Sequence, residues 1–162
     1  MKRVITIIMI INSIIFIGCS SYVSNSDEKE IKEVIDKVFS YEIEYDESLR
    51  NYINEENFYT SNYRFFYTLF LGDLSSFNYE SQLKSVSKEA KEYIACLVLN
   101  LKAEGELVYE NDEDEGHRAS IEGVDVPVKV TFKKTDRGFY IKSVEEYDSL
   151  DIAKEECAGF QW

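Results

Sequence analysis

Val124-Asp125-Val126-Pro127-Val128-Lys129-Val130-Thr131-Phe132 alternates apolar and polar side chains without a break. Side chains of a strand point to opposite faces in turn, so this period of two predicts a strand with one buried face. Pro127 has no N–H to give to a ladder, which predicts a sheet edge or a bulge at that point. Thr135-Asp136-Arg137-Gly138 reads as a hairpin turn, and Phe139 to Tyr147 as the returning strand. Ile141 and Val144 fall out of alternation there, which predicts a bulge. Upstream, Tyr93 to Leu101 is nearly all apolar, like a buried strand. Gly105 marks a further bulge before the strand resumes at Glu106.

The chain ahead of these strands has a helical period. Ile31, Val34, Ile35, Val38 and Phe39 recur at i, i+3, i+4, i+7 and i+8, predicting an amphipathic helix from Asp27 to about Tyr45. Asp27 and Glu30 have capping-box spacing. Leu49 to Leu74 reads as mostly helical, with Tyr63, Phe66, Tyr67, Phe70 and Leu71 on one stripe and Gly72-Asp73 as its stop. Ser75 to Tyr79 reads as a loop or short strand, and Ser81 to Lys88 as a helical turn or two. Leu150 to Cys157 reads as a short helix closed by Gly159, with Phe160 and Trp162 folding back. Helices followed by meandering strands predict the α+β class, with the N-terminal helices packed on an antiparallel sheet.

The closing hairpin, Val128-Lys129-Val130-Thr131-Phe132-Lys133-Lys134 with Gly138-Phe139-Tyr140-Ile141-Lys142-Ser143-Val144-Glu145, is similar to the last hairpin of many small lipoproteins of the NTF2-like superfamily. In layout the resemblance spans residues 27–148, and Phe139 stands where those hairpins often carry tryptophan. It implies a curved sheet wrapped on helices, sometimes around a pocket. It implies no single activity, because function is grafted onto folds site by site.

The N-terminus sets an address. Met1-Lys2-Arg3 precedes an apolar run from Val4 to Phe16, too short for a confident membrane span. Phe16-Ile17-Gly18-Cys19 resembles the bacterial lipobox, with phenylalanine where leucine is usual. That resemblance implies cleavage before Cys19 and a diacylglycerol thioether on it, and two acyl chains suffice for stable anchoring. The expected organisation is a signal peptide over residues 1–18, a lipidated N-terminus and tether over 19–26, and a single α+β domain over 27–162. The expected location is the cell membrane or outer membrane, with the domain outside the cytoplasm.

The chain has 18 basic and 31 acidic residues, a net charge of −13. Residues 1–18 hold only basic charges, Lys2 and Arg3, so the mature part is more acidic still. Such a surface disfavours nucleic acid. It suits a cationic protein or peptide partner. Twelve Tyr and ten Phe can fill one sizeable core.

Chemistry-bearing motifs are few. Cys96 and Cys157 remain once Cys19 is lipidated, and export permits a disulfide between them. Cys96 reads equally well as a small buried hydrophobe. No CxxC, GxSxG, HExxH or phosphate loop occurs. His117, the one histidine, follows an acidic run and reads as a solvated loop residue. Asn111, Glu113, Glu115, Gly116 and Glu122 fall at positions 1, 3, 5, 6 and 12 of an EF-hand register. Asparagine in place of the first aspartate and strand-like flanks break that register. Asn111, Glu113, Glu115 and Glu122 are therefore at most weak ligands in a charged turn, and no metal or other cofactor is expected. Glu145 and Glu146, adjacent on a strand, should face opposite ways. Two readings follow: a non-catalytic domain that binds a protein or peptide, and a small-ligand cone lined by Phe39, Phe66, Tyr67, Phe132 and Ile141. An enzyme ranks last.

Overall fold

The computed structural model describes residues 23–42, 44–108 and 117–162. The expected signal peptide, the lipidation site Cys19, and Asn111, Glu113 and Glu115 lie outside those residues. Within them the protein is α+β. Helices α1 (Asn25–Phe39), α2 (Glu55–Ser61) and α3 (Tyr63–Leu71) precede a four-stranded antiparallel sheet. The strands are β1 (Leu74–Glu89), β2 (Glu92–Glu106), β3 (Arg118–Thr135) and β4 (Gly138–Glu146), in spatial order β1-β2-β3-β4. Helix α4 (Leu150–Glu156) and a 3-10 turn, Ala158–Phe160, end the chain. No helix among the described residues is long and apolar enough to cross a membrane.

Helix α1 starts earlier than its apolar period suggests. Ser24, not Asp27, is the N-cap, its hydroxyl accepting from the Asp27 N–H at 3.1 Å, and Val23 is already buried. Val23 to Ser26, expected in the tether, are therefore part of the folded domain, with Asn25 and Ser26 in the helix. The helix also ends at Phe39 rather than near Tyr45, because Ser40 turns its hydroxyl and its N–H back onto the Asp36 carbonyl. Ile31, Val34, Ile35, Val38 and Phe39 are all buried, as their spacing predicts.

Asp27 is tied to the sheet by Lys134, with Nζ and Oδ1 2.6 Å apart. The hydrogen bond from Lys134 holds the Asp27 carboxyl below its ordinary 3.8, and the same bond holds Lys134 above 10.5. A lowered carboxyl stabilises the fold above pH 3.8, and that contribution disappears as pH falls through the lowered value. A raised ammonium stabilises below pH 10.5, and is lost as pH climbs through the raised value. Asp27→Asn is therefore expected to weaken the protein against urea at pH 7 and to be indistinguishable from wild type at strongly acidic pH. An equal deficit at both pH values would mean that the side chain acts by packing alone.

Strand β2 is buried on both faces. Ala95, Leu97, Leu99, Leu101 and Ala103 face the core under α1–α3. Cys96 and Val98 face a second cluster with Tyr147, Ala153 and Phe160. The sheet thus carries the N-terminal helices on one face and the C-terminal turn on the other, where the sequence placed helices on one face only. The returning Phe160 is fully buried, while Trp162 remains exposed, with Lys84 and Lys154 over its ring.

β1 corrects the sequence reading most. The stretch expected to be a loop or short strand and then a helical turn or two is one long strand paired with β2 from Leu74 to Glu89. Phe77, Tyr79, Leu83 and Val86 pack on the main core, but a register shift between Leu83 and Ser85 interrupts their period. Ser81, also on that face, hydrogen-bonds the Asp36 carboxylate of α1, as does Tyr79 at 3.2 Å.

The quoted β3 run also holds a surprise. The pairing jumps from Leu101–Gly123 to Leu99–Val126, so residues 124 and 125 bulge out, with Asp125 at φ 53° and its N–H held by Asn100 at 3.0 Å. Val124 is therefore 71% exposed although it sits in the alternation. Pro127 lies beside this bulge, where β4 has just ended. Its carbonyl still accepts from Tyr147 N–H at 3.0 Å. The expected β4 bulge falls between Phe132–Ile141 and Thr131–Ser143.

Candidate functional site

β3 has two neighbours along only part of its length. It pairs with β2 from Arg118 to Lys133, but with β4 only from Val128 to Thr135. After Tyr147 the chain leaves for the opposite face. Among the described residues no strand pairs with the outer edge of the N-terminal half of β3, and α3 lies above it across a cleft of ≈ 410 Å³.

The floor of the cleft is Leu101 of β2 with Ile121, Gly123 and Val126 of β3. Its wall is Tyr63, Phe66 and Tyr67 of α3, and Glu146, the last residue of β4, stands at one end. Gly123 makes room for this arrangement. A Cβ there would lie 3.1 Å from Val126 Cγ2 and 3.3 Å from Tyr67 Oη. The outer surface of α3 continues the apolar wall: Phe66 and Phe70 touch ring to ring at 5.1 Å, and Phe66, Leu69 and Phe70 are 49%, 59% and 47% exposed.

Glu146 is the one charged group of the cleft among the described residues, and it accepts from Tyr63 Oη–H at 2.7 Å. Burial, then the Glu146 charge, pushes the Tyr63 phenol far above its ordinary range, so it stays a donor. Burial and Glu146 act on Tyr67 in the same direction. Glu145 points the other way, to Lys129, as alternation requires. Ser61, also on the lining, donates to the Asn57 carbonyl at 2.6 Å. The cleft therefore holds aromatic faces, one carboxylate and hydroxyl donors.

Of the five residues expected to line a small-ligand cone, Phe66 and Tyr67 line this cleft. Phe39, Phe132 and Ile141 do not; they are fully buried in the main core. Their periodicity marks them as inward-facing, and inward-facing here means packed. Glu122, the described member of the weak metal set, is instead paired with Lys102 at 3.1 Å. No three His, Cys, Asp or Glu side chains among the described residues are placed to share a metal ion. His117 is exposed at the mouth of the β2–β3 connection, where its carbonyl accepts from Leu107 N–H at 3.0 Å. Sequence reasoning set Glu146 aside as half of a pair that does not converge, and missed the place of Glu146 in a cleft and the unpaired edge of β3. No local signal marks where β4 stops, so neither was accessible before the register was known.

Away from the cleft, Cys96 and Cys157 meet. Their Sγ atoms are 3.6 Å apart, both thiols free, Cys96 buried and Cys157 half-buried. Burial, then the contact with Cys157, pushes the Cys96 thiol up to about 12. Gly159 lies against Cys96 and Ser85; a Cβ there would sit 2.8 Å from Ser85 Oγ, and Ser85 donates to the Gly159 carbonyl at 2.8 Å.

No family model matches this chain, and no curated protein matches it in sequence. Among solved structures it is similar to the intermembrane space region of the chloroplast protein ARC6, at 12% identity and TM-score 0.42, covering 80% of this chain and 99% of that one. It is also similar to TsrD from Streptomyces laurentii, at 13% identity and TM-score 0.39, covering 85% of this chain and 99% of that one.

Proposed function

We propose that this protein is a lipid-anchored domain on the outer side of a bacterial cell membrane or outer membrane, and that it binds a protein or peptide without catalysis. The cleft between α3 and the free half of β3, continued onto exposed Phe66, Leu69 and Phe70, carries the binding half of this reading. A contiguous apolar patch beside an apolar groove is the ordinary mark of an interaction site. The anchor rests on the Phe16–Cys19 sequence. The NTF2-like cone belongs to the same proposal, supported by long antiparallel strands with α1–α3 stacked on one face. A small ligand in the cleft is the second reading, favoured by a volume in the usual range for such sites.

Cys19→Ala is expected to move the protein from the membrane to the soluble fraction and to abolish labelling by a fatty-acid analogue. Undiminished labelling would sink the anchor. For the binding half, Leu69→Glu places a charge on the rim at a position 59% exposed, where the fold tolerates it. This variant, at wild-type abundance, is expected to fail to complement a deletion strain, and full rescue would count against the cleft as the working surface.

A further inference from the structure

The free edge of β3, the apolar floor beside it and the lone carboxylate at its end specify a ligand. We propose that the cleft takes an extended peptide segment that adds as a strand beside Arg118–Val126 of β3 and sets a lysine or arginine side chain on Glu146. This inference rests on the binding reading above and gives it a chemistry.

Three observations carry it. First, the edge is open where β4 has ended. β4 itself is covered on its outer side: Ile141 N–H donates to the Tyr52 carbonyl at 2.7 Å, and Asn57 Nδ2 donates to the Lys142 carbonyl at 2.8 Å. No strand does the same for β3 ahead of Pro127 among the described residues. Unpaired strand N–H and C=O groups are a template for another chain. Second, the floor is apolar on one side of that line, through Ile121 and Val126, so alternate side chains of an added strand would be buried and the others would face water. Third, the charge is uncompensated. Lys129 is taken by Glu145, Lys142 by Glu92 and Lys102 by Glu122, whereas Glu146 forms no ion pair among the described residues. Its hydrogen-bond partner among the described residues is the neutral Tyr63 hydroxyl. A cation there would also meet the faces of Phe66 or Tyr67, which attract ammonium and guanidinium groups. The overall charge of −13 favours the encounter.

The test uses the full chain in nanodiscs and three capped heptapeptides. The first is Thr-Val-Thr-Lys-Thr-Val-Thr, whose valines and lysine share one face of a strand. The second carries acetyl-lysine at the centre. The third is the first peptide with all of its backbone amides N-methylated, which removes the donors of both edges and blocks strand pairing. The lysine peptide is expected to shift the amide resonances of residues 118–126 and to slow their hydrogen exchange. The acetylated peptide should bind about tenfold more weakly, as the loss of one charge-assisted contact implies. Glu146→Gln, a change at an exposed site, should abolish that difference, and the N-methylated peptide should not bind. Equal binding of the first two peptides in the cleft would overturn the role of Glu146 while leaving the binding reading intact. Shifts confined to the β1 edge would overturn strand addition. Displacement of the lysine peptide by equimolar spermidine would make the occupant a small ammonium compound and overturn the peptide. No shift with any peptide at millimolar concentration would overturn the inference, and Leu69→Glu complementation then judges the binding reading separately.

Discussion

Replacing Asn62 with alanine is expected to cost about 2–4 kcal/mol of folding free energy, a large fraction of what a domain this size possesses. Asn62 is 1% exposed and joins three segments. Its Nδ2 donates to the carbonyls of Val38 and Tyr41, both at 3.0 Å, which fixes the end of α1 and the turn after it. Its Oδ1 accepts from Phe65 N–H at 2.7 Å, which caps α3. Alanine leaves the Tyr41 carbonyl and the Phe65 N–H without a side-chain partner, while the Val38 carbonyl keeps the Tyr41 N–H at 3.4 Å. Each buried orphan costs about 1–3 kcal/mol, and a lost N-cap about 1. Asn62→Ser keeps a cap acceptor and should recover part of the loss. Urea unfolding of the three proteins measures it, and a loss below about 1 kcal/mol for alanine would show that water replaces the amide. Because Tyr63, Phe66 and Tyr67 ride on the helix that Asn62 caps, the same variant should also blunt peptide binding.

Joining Cys96 to Cys157 is expected to raise the unfolding free energy by about 4 kcal/mol, the chain-entropy value for a loop of this size. The two are 61 residues apart in sequence and in sulfur contact in the fold. Rate should depend strongly on when oxidation happens. A thiol pushed up to about 12 is scarcely ionised at neutral pH, and the thiolate is the attacking form. Oxidised glutathione should therefore bridge the pair readily during refolding and slowly in the folded, reduced protein. Alkylation of the denatured, unreduced material gives the reading: neither cysteine is modified if the bridge is present. Full labelling after oxidative refolding would remove the disulfide from the account. The bridge would fix the C-terminal turn, and with it Phe160, to the outer face of β2.

What the sequence determined by itself was the periodic part. α1 was legible because Ile31, Val34, Ile35, Val38 and Phe39 repeat on one face, and one helix face is all it buries. The β3–β4 hairpin was legible for the same reason at a period of two, down to the bulge near Ile141 and the boundary at Pro127. Tertiary structure decided what periodicity does not encode. β1 was misread because Ser81 puts a polar side chain on the core face, where Asp36 of a distant helix satisfies it, and because a bulge breaks the count beyond Leu83. Val124 keeps the alternation yet points outward, since Asn100 of the neighbouring strand holds the bulge that turns it. Phe39, Phe66, Tyr67, Phe132 and Ile141 carry the same kind of signal, but burial in the core or exposure on a cleft depends on which neighbours lie above them. The cleft itself exists because β4 stops at Glu146 while β3 runs on to pair with β2. That mismatch belongs to the register between strands and to no stretch of sequence within either.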